Sequence, residues 1–333
     1  MHAESTPAST AALKAKTIAS DEIVKISRTS VAELLQRTKI PLQSPIPVAQ
    51  EEVERKTREG AKEWTKKGLD PARYARHFRT SVNIATYTYS HTPVEVQIFI
   101  SLFTLLALCV DDLEVDSDAL DSFGARLYTG KPQLDPALDC LVDVLGKTHD
   151  YYPPYAAKSI IVATIEFVDA TLFDKESVGV QLHQAALPYV EYKRLRNSLG
   201  GAYGAFVWDK FSFPDIFSHI QPPLPGKLIM TLYTCRETFI WLNYSNDVLS
   251  FYKEELAGEK DNYVHDRALV TNKSISTVLT ELVNELVESI ERARSILKGE
   301  KEKEAWERLL AGYVAYHYTT PRYKLVELLE GEI

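Results

Sequence analysis

Apolar residues recur at three- and four-residue spacing along most of this 333-residue chain, and that spacing constrains it to α-helix. Side chains three and four apart stack on one helical face, whereas a half-buried strand alternates with period two. Such β-branched alternation is hard to find, and glycine is scarce at 14 residues. The pattern predicts helices over 49–67, 74–90, 93 to an acidic run at 111–116, 118–129, 135–147, 155–175 and 186–209, the last containing Gly200, Gly201 and Gly204. A long helix then runs through 239–254, and others follow over 276–297 and 301–318. Ser44-Pro45-Ile46-Pro47, Pro153-Pro154, a loop at 221–226 and a polar connection at 258–262 punctuate the series. Thr320 stands as N-cap to a short terminal helix with Pro321 at its first position. Residues 1 to about 20, rich in Ala, Ser and Thr, read as mobile. The segment 1–40 is set apart as a mobile N-terminal segment. The remainder, 41–333, reads as one all-α domain of ten to twelve helices, without internal repeat or linker.

Composition narrows the function classes. A net charge of −8 and a pI near 5.6 give a nucleic-acid phosphate backbone little to bind. The N-terminus, Met1-His2-Ala3-Glu4-Ser5-Thr6, lacks the apolar core of a signal peptide. The greasiest run, Ile98 to Val110, includes Ser101 and Thr104, is too short to span a bilayer and reads as a buried central helix. Cys109, Cys140 and Cys235 are odd in number and lie in apolar sequence, as suits reduced core thiols in a cytoplasmic protein.

The polar residues that stand out are Asn246, Ser250 and Glu254, at i, i+4 and i+8. On a helix they form one row, drifting about 40° per step. A carbonyl, a hydroxyl and a carboxylate offer only oxygen, which suits a hard cation such as Mg2+. Lys253 beside them is placed to hold an anion that shares the metal. A solvent-facing stripe is the alternative, but the upstream run Phe239-Ile240-Trp241-Leu242-Asn243-Tyr244 is largely apolar, and polar groups on a buried helix need partners.

A second acidic element, Asp111-Asp112-Leu113-Glu114-Val115-Asp116, ends the apolar helix. Asp111 and Glu114, and likewise Asp112 and Asp116, share helical faces. Carboxylates crowded at a helix C-terminus repel one another and oppose the macrodipole, which a cation would offset; a solvated helix end is the other reading. Two basic elements could take an anion: Tyr192-Lys193-Arg194-Leu195-Arg196-Asn197-Ser198, just before the glycines, and Arg322-Tyr323, where an Arg fork and a phenol suit phosphate oxygens.

Together these stretches resemble the class I terpene cyclases, and most closely the fungal trichodiene synthase family. The resemblance rests on Asp111-Asp112 after an apolar helix, on Asn246-Asp247 with Ser250-Phe251-Tyr252-Lys253-Glu254, on Tyr192 to Trp208, and on Arg322-Tyr323-Lys324-Leu325. It covers roughly residues 75 to 330. It implies a single-domain α-helical barrel around an apolar cavity, and a sesquiterpene synthase that ionises and cyclises farnesyl diphosphate with Mg2+, three ions being held with diphosphate. By the same resemblance, Asp111 binds metal from one wall and Asn246, Ser250 and Glu254 from the facing wall. Arg194 senses the diphosphate, Lys253 neutralises it, and Arg322 with Tyr323 donates to it. Asn197 and Ser198 pass the signal toward the helix break, and Asp112 pairs with Arg322 on closure. The family pattern carries an acid four residues after the first Asp, where this chain has Val115; Glu114 or Asp116 supplies that charge, or Asp111 and Asp112 suffice. Arg196 competes with Arg194 for the sensor role.

A carbocation intermediate calls for an aromatic cavity, and Phe99, Phe103, Phe167, Trp208, Phe239, Trp241 and Tyr313 lie on segments that the barrel places near it, although ordinary core packing is the alternative for each. Competing functions are a chain-elongating prenyltransferase, which would want a second aspartate-rich motif where the Asn/Ser/Glu row stands, a catalytically silent helical binding protein, and a metal phosphohydrolase suggested by His149-Asp150 and His265-Asp266. The expected partner is a prenyl diphosphate, with no nucleic acid and no membrane span, and the assembly a monomer or homodimer.

Overall fold

The computed structural model describes the backbone of residues 7–111, 115–214 and 225–329, and the side chains of 21–111, 115–214 and 236–329. Among these residues the regular elements are all helical. The order is α1 (Pro7–Thr38), α2 (Gln50–Lys62), α3 (Pro71–Ala75), α4 (Phe78–Asn83), α5 (Val94–Asp111), α6 (Ser117–Tyr128), α7 (Pro136–Gly146), α8 (Thr148–Tyr151), α9 (Pro154–Glu176), α10 (Leu187–Arg196), α11 (Gly200–Ala205), α12 (Pro225–Ala257), α13 (Tyr263–Thr271), α14 (Ile275–Ile296), α15 (Glu300–Thr319) and α16 (Leu325–Leu329). Short 3-10 turns cover Glu63–Lys67 and Pro321–Tyr323, and a π-helical turn covers Ile84–Thr88.

Helix α5 is long and apolar enough to cross a membrane by length and composition, but 67% of it is buried in the bundle. It packs against α2, α4, α7 and the π-turn, with Phe99, Ile100, Phe103, Leu105 and Leu106 in the core. Two of its polar side chains are tied down: Gln97 Nε2 donates to Thr92 O at 2.8 Å, and Thr104 Oγ1 accepts from the Tyr203 hydroxyl at 3.0 Å. Helix α12 is the second organising rod, packed against α1, α11, α14 and α15. Helix α15 lies so close to the π-turn that a Cβ at Gly312 would stand 2.0 Å from the Tyr87 carbonyl oxygen. Only glycine permits that approach.

Several sequence expectations change. The segment 1–40 is helical over Pro7–Thr38, and from residue 21 onward its side chains pack into the core and are not free of the domain. Val31 and Leu34 are fully buried, and Arg28 Nε donates to Leu328 O at 2.9 Å. The apolar spacing at Val31, Leu34 and Leu35 carries that packing, and the Ala/Ser/Thr-rich start obscured it. The predicted helix 74–90 is divided into α3, α4 and the π-turn. The predicted helix 186–209 breaks between α10 and α11, where Leu199 takes a left-handed φ of 54°. Helix α13 was not anticipated. Thr320 makes no side-chain cap; its hydroxyl accepts from Asn83 Nδ2 at 3.1 Å. Cys109 and Cys140 are buried, burial pushing the Cys140 thiol up to about 12. The Cys235 side chain, Asp112, Glu114 and the loop 221–224 lie outside the described residues.

Candidate active site

Helices α5, α9, α10, α12 and α15, with the turn after α15, surround a cavity of about 370 Å3. Asp111, Arg194, Asn197, Ser198, Asn246, Ser250, Lys253, Glu254, Arg322 and Tyr323 all reach its wall. Residues drawn from four distant stretches of sequence thus share one hollow. Its apolar surface comes from Ile84, Ala107, Leu108, Phe167, Leu199 and Leu242.

On α12 the row forms as its spacing dictates. The Ser250 hydroxyl donates to Glu254 Oε1 at 2.6 Å, and Lys253 Nζ lies 3.5 Å from the same oxygen and 3.4 Å from Glu259 Oε2. Among the described residues no three His, Cys, Asp or Glu side chains cluster closely enough to hold a metal by themselves. Asn246, Ser250 and Glu254 on α12 and Asp111 at the end of α5 instead line the same cavity. An all-oxygen set with two carboxylates fits a hard divalent cation.

Arg194 is held by several partners. Its Nη2 lies 2.8 Å from Asp247 Oδ1, its Nε donates to Oδ2 at 3.1 Å, and Nη2 also reaches Asn243 O at 3.1 Å. Burial pushes the Asp247 carboxyl up to about 6, against the pull of the Arg194 guanidinium. Desolvation opposes charge on Arg194, but Asp247 outweighs it and raises the pKa of the guanidinium. Both are therefore charged at neutral pH. Arg196 takes different partners, Tyr192, Glu166 and Asp169, outside the cavity lining. Arg194 rather than Arg196 thus faces the hollow. Asn197 donates to Asp174 Oδ2 at 3.3 Å, and Ser198 Oγ accepts from Gly200 N at 3.2 Å, so both side chains brace the break between α10 and α11. A Cβ at Gly200 would sit 2.9 Å from Asn243 Oδ1 and from the Phe239 ring, so glycine seats α11 against α12.

The aromatic expectations divide. Phe167 and Tyr313 line the cavity. Phe99 and Phe103 belong to a packed cluster with Tyr151, Tyr152, Tyr203 and Phe206; Trp208 packs edge-on to Phe213, Phe239 against Gly200, and Trp241 against Tyr313. None of these five is in the lining of this cavity: Phe99, Phe103, Trp208 and Trp241 are buried in the core, and Phe239 is half-buried. Tyr203, Tyr316 and Tyr263 line it instead. The sequence reading also passed over Asp247 and His317. Asp247 carries a local signal, a charge within an apolar helix. His317 has only its i+4 spacing from Tyr313.

His317 is fully buried. Its Nδ1 lies 2.8 Å from Tyr313 O and its Nε2 lies 3.2 Å from Asn246 Nδ2. Burial lowers its pKa to about 3, so the imidazole is neutral. His149 and His265 are far less committed to any site: His149 is exposed, and His265 pairs with Glu255 beyond the cavity lining, so neither doublet forms a metal cluster.

Over residues 52–332 the sequence matches the trichodiene synthase (TRI5) family. The chain belongs to the trichodiene synthase family. This family member is 37% identical over 256 residues to monoterpene synthase 25 of Postia placenta, covering 76% of this chain and 74% of the relative. It is 24% identical over 267 residues to trichodiene synthase of Fusarium cortaderiae, covering 79% and 68%. Among solved structures, hedycaryol synthase in complex with HEPES aligns with a TM-score of 0.60 at 15% identity, covering 86% of this chain and 95% of that one. α-Eudesmol synthase aligns at 0.58 and 13% identity, covering 84% and 98%. At such identities the likeness is one of fold, and the family member has the all-α class I terpenoid synthase architecture.

Proposed function

We propose that this chain is a sesquiterpene synthase, a lyase that ionises and cyclises farnesyl diphosphate, releases diphosphate and yields a cyclic hydrocarbon or alcohol. One observation carries the reading: oxygen donors from α5 and α12 and the cations Arg194, Lys253 and Arg322 line the same hollow as Ile84, Leu108, Phe167 and Leu242. A polar rim beside an apolar chamber suits a substrate with an anionic head and a hydrocarbon tail.

Asp111, Asn246, Ser250 and Glu254 would hold Mg2+. When bound, the metal supplies positive charge to the departing diphosphate. The protein's own cations act in the same direction. Arg194, preset by Asp247, presents its fork at the rim, and Lys253 can exchange Glu259 for a phosphate oxygen. As the C–O bond breaks, its electron pair leaves with the diphosphate and an allylic cation remains. The chamber must keep water from that cation. Phe167 and Tyr313 offer ring faces that stabilise a cation by roughly 0.5–2 kcal/mol each. The Tyr313 hydroxyl donates to Leu242 O at 3.1 Å, and those of Tyr316 and Tyr323 pair at 2.7 Å, so these phenols are occupied with each other and the backbone.

A ten-carbon substrate is the second reading, favoured by the relative whose name is monoterpene synthase 25. Incubating purified protein with Mg2+ and either geranyl or farnesyl diphosphate, then extracting volatiles for gas chromatography, separates the two. Cyclic products from farnesyl diphosphate support the first reading, and products from geranyl diphosphate alone support the second. Binding of both substrates without any terpene would refute catalysis. Longer prenyl chains on adding isopentenyl diphosphate would assign the site to chain elongation.

A further inference from the structure

The side-chain amide of Asn246 has two possible orientations, and its two neighbours select one. With Nδ2 toward His317 Nε2 at 3.2 Å and Oδ1 toward Arg194 Nη2 at 3.4 Å, each contact joins a donor to an acceptor. Rotated by 180°, the amide would set its N–H groups against the guanidinium and its oxygen against the ring nitrogen. The imidazole is determined by the same reasoning. Its Nδ1 faces the Tyr313 carbonyl at 2.8 Å, which only a protonated nitrogen can satisfy. Because Arg194 holds Asn246 Oδ1, the amide turns Nδ2 toward the ring, and Nε2 must be bare to accept from it. Three rings hold the imidazole in place: Tyr323 at 4.2 Å, Tyr313 at 4.5 Å and Tyr316 at 4.7 Å between centroids.

We propose that His317, as its Nδ1–H tautomer, is the positioning residue that locks the Asn246 amide with its oxygen turned into the cavity. The proposal rests on the reading of Asn246 as an oxygen donor to Mg2+. An asparagine that could flip would present N–H groups to the cation in part of the population and weaken its capture. Outer partners of metal ligands typically change affinity by about 10–100-fold. Tyr323 packs against the same imidazole, so the lock also ties α12 to the turn carrying Arg322.

The test measures Mg2+ binding in the presence of inorganic diphosphate by calorimetry, alongside the Mg2+ dependence of turnover. His317→Phe keeps a ring but offers no acceptor, and its Mg2+ affinity should fall about tenfold. His317→Gln keeps a carbonyl that can accept from Asn246 and should stay within about threefold of wild type. Asn246→Ala serves as the reference. If Asn246→Ala weakens Mg2+ binding while a folded His317→Phe does not, the positioning role is wrong and the metal reading stands. If Asn246→Ala has no effect, the metal reading itself fails. Equal losses in the Phe and Gln variants would also overturn the lock. Should His317→Phe fail to fold, nitrogen NMR of 15N-histidine-labelled wild-type protein decides: a protonated Nδ1 and bare Nε2 at His317 are required, and the opposite tautomer refutes the proposal.

Discussion

Arg194 and Asp247, 53 residues apart in sequence, close on each other through two contacts, 2.8 Å from Nη2 to Oδ1 and 3.1 Å from Nε to Oδ2. Asp247 directly follows Asn246 on α12. The cation read as the diphosphate sensor is thus anchored to the helix that carries the oxygen row. Charge at the rim is organised before any substrate arrives, which reduces reorganisation during reaction.

Removing one member of this pair leaves a buried charge without its partner. Asp247→Ala should lower stability by about 3–5 kcal/mol, whereas the double change Arg194→Leu with Asp247→Leu should cost far less stability while abolishing turnover. Urea unfolding midpoints and a turnover assay check both.

The oxygen row should behave as a unit. Asn246→Ala or Glu254→Ala should reduce Mg2+-dependent turnover by about 100-fold or more with little change in melting temperature. A rate close to wild type in either variant would remove that residue from the metal assignment.

Aromatic substitutions should divide by location. Phe103→Ala removes a fully buried ring outside the cavity lining and should cost about 3–5 kcal/mol of stability. Phe167→Leu alters the cavity wall and should change the product mixture seen by gas chromatography. A changed product pattern from Phe103→Ala with unchanged stability would contradict this division.

Gly312→Ala would drive a methyl group into the Tyr87 backbone carbonyl. The separation of α15 from the π-turn would have to grow, at a cost of about 1–3 kcal/mol, read as a lower unfolding midpoint.

Acid should weaken the fold through His91. Burial lowers its pKa to about 4, while its Nε2 faces Val207 O at 3.2 Å. Between the unfolded value near 6.5 and about 4, the unfolded chain binds more protons, so stability falls as pH drops through that window. His91→Gln should flatten this part of the stability profile, measured by urea unfolding at pH 7 and pH 5.

The elements of the site that rest on local spacing were legible in the sequence. Asn246, Ser250 and Glu254 share a face because a helix repeats every 3.6 residues, and Lys253 and Arg322-Tyr323 announced themselves by residue chemistry. The all-α class followed from the same periodicity. Tertiary structure decided the rest. Helix α5 is apolar on nearly every side, so no stripe indicated that Asp111, Ala107 and Leu108 face the hollow while Phe99 and Phe103 fill the core. The pairing of Arg194 with Asp247, the contact of His317 with Asn246 across 71 residues, and the docking of α1 onto α12 and α14 are long-range contacts. Periodicity specifies which side chains of one helix lie together; which of them meet the side chains of another helix depends on how the rods pack.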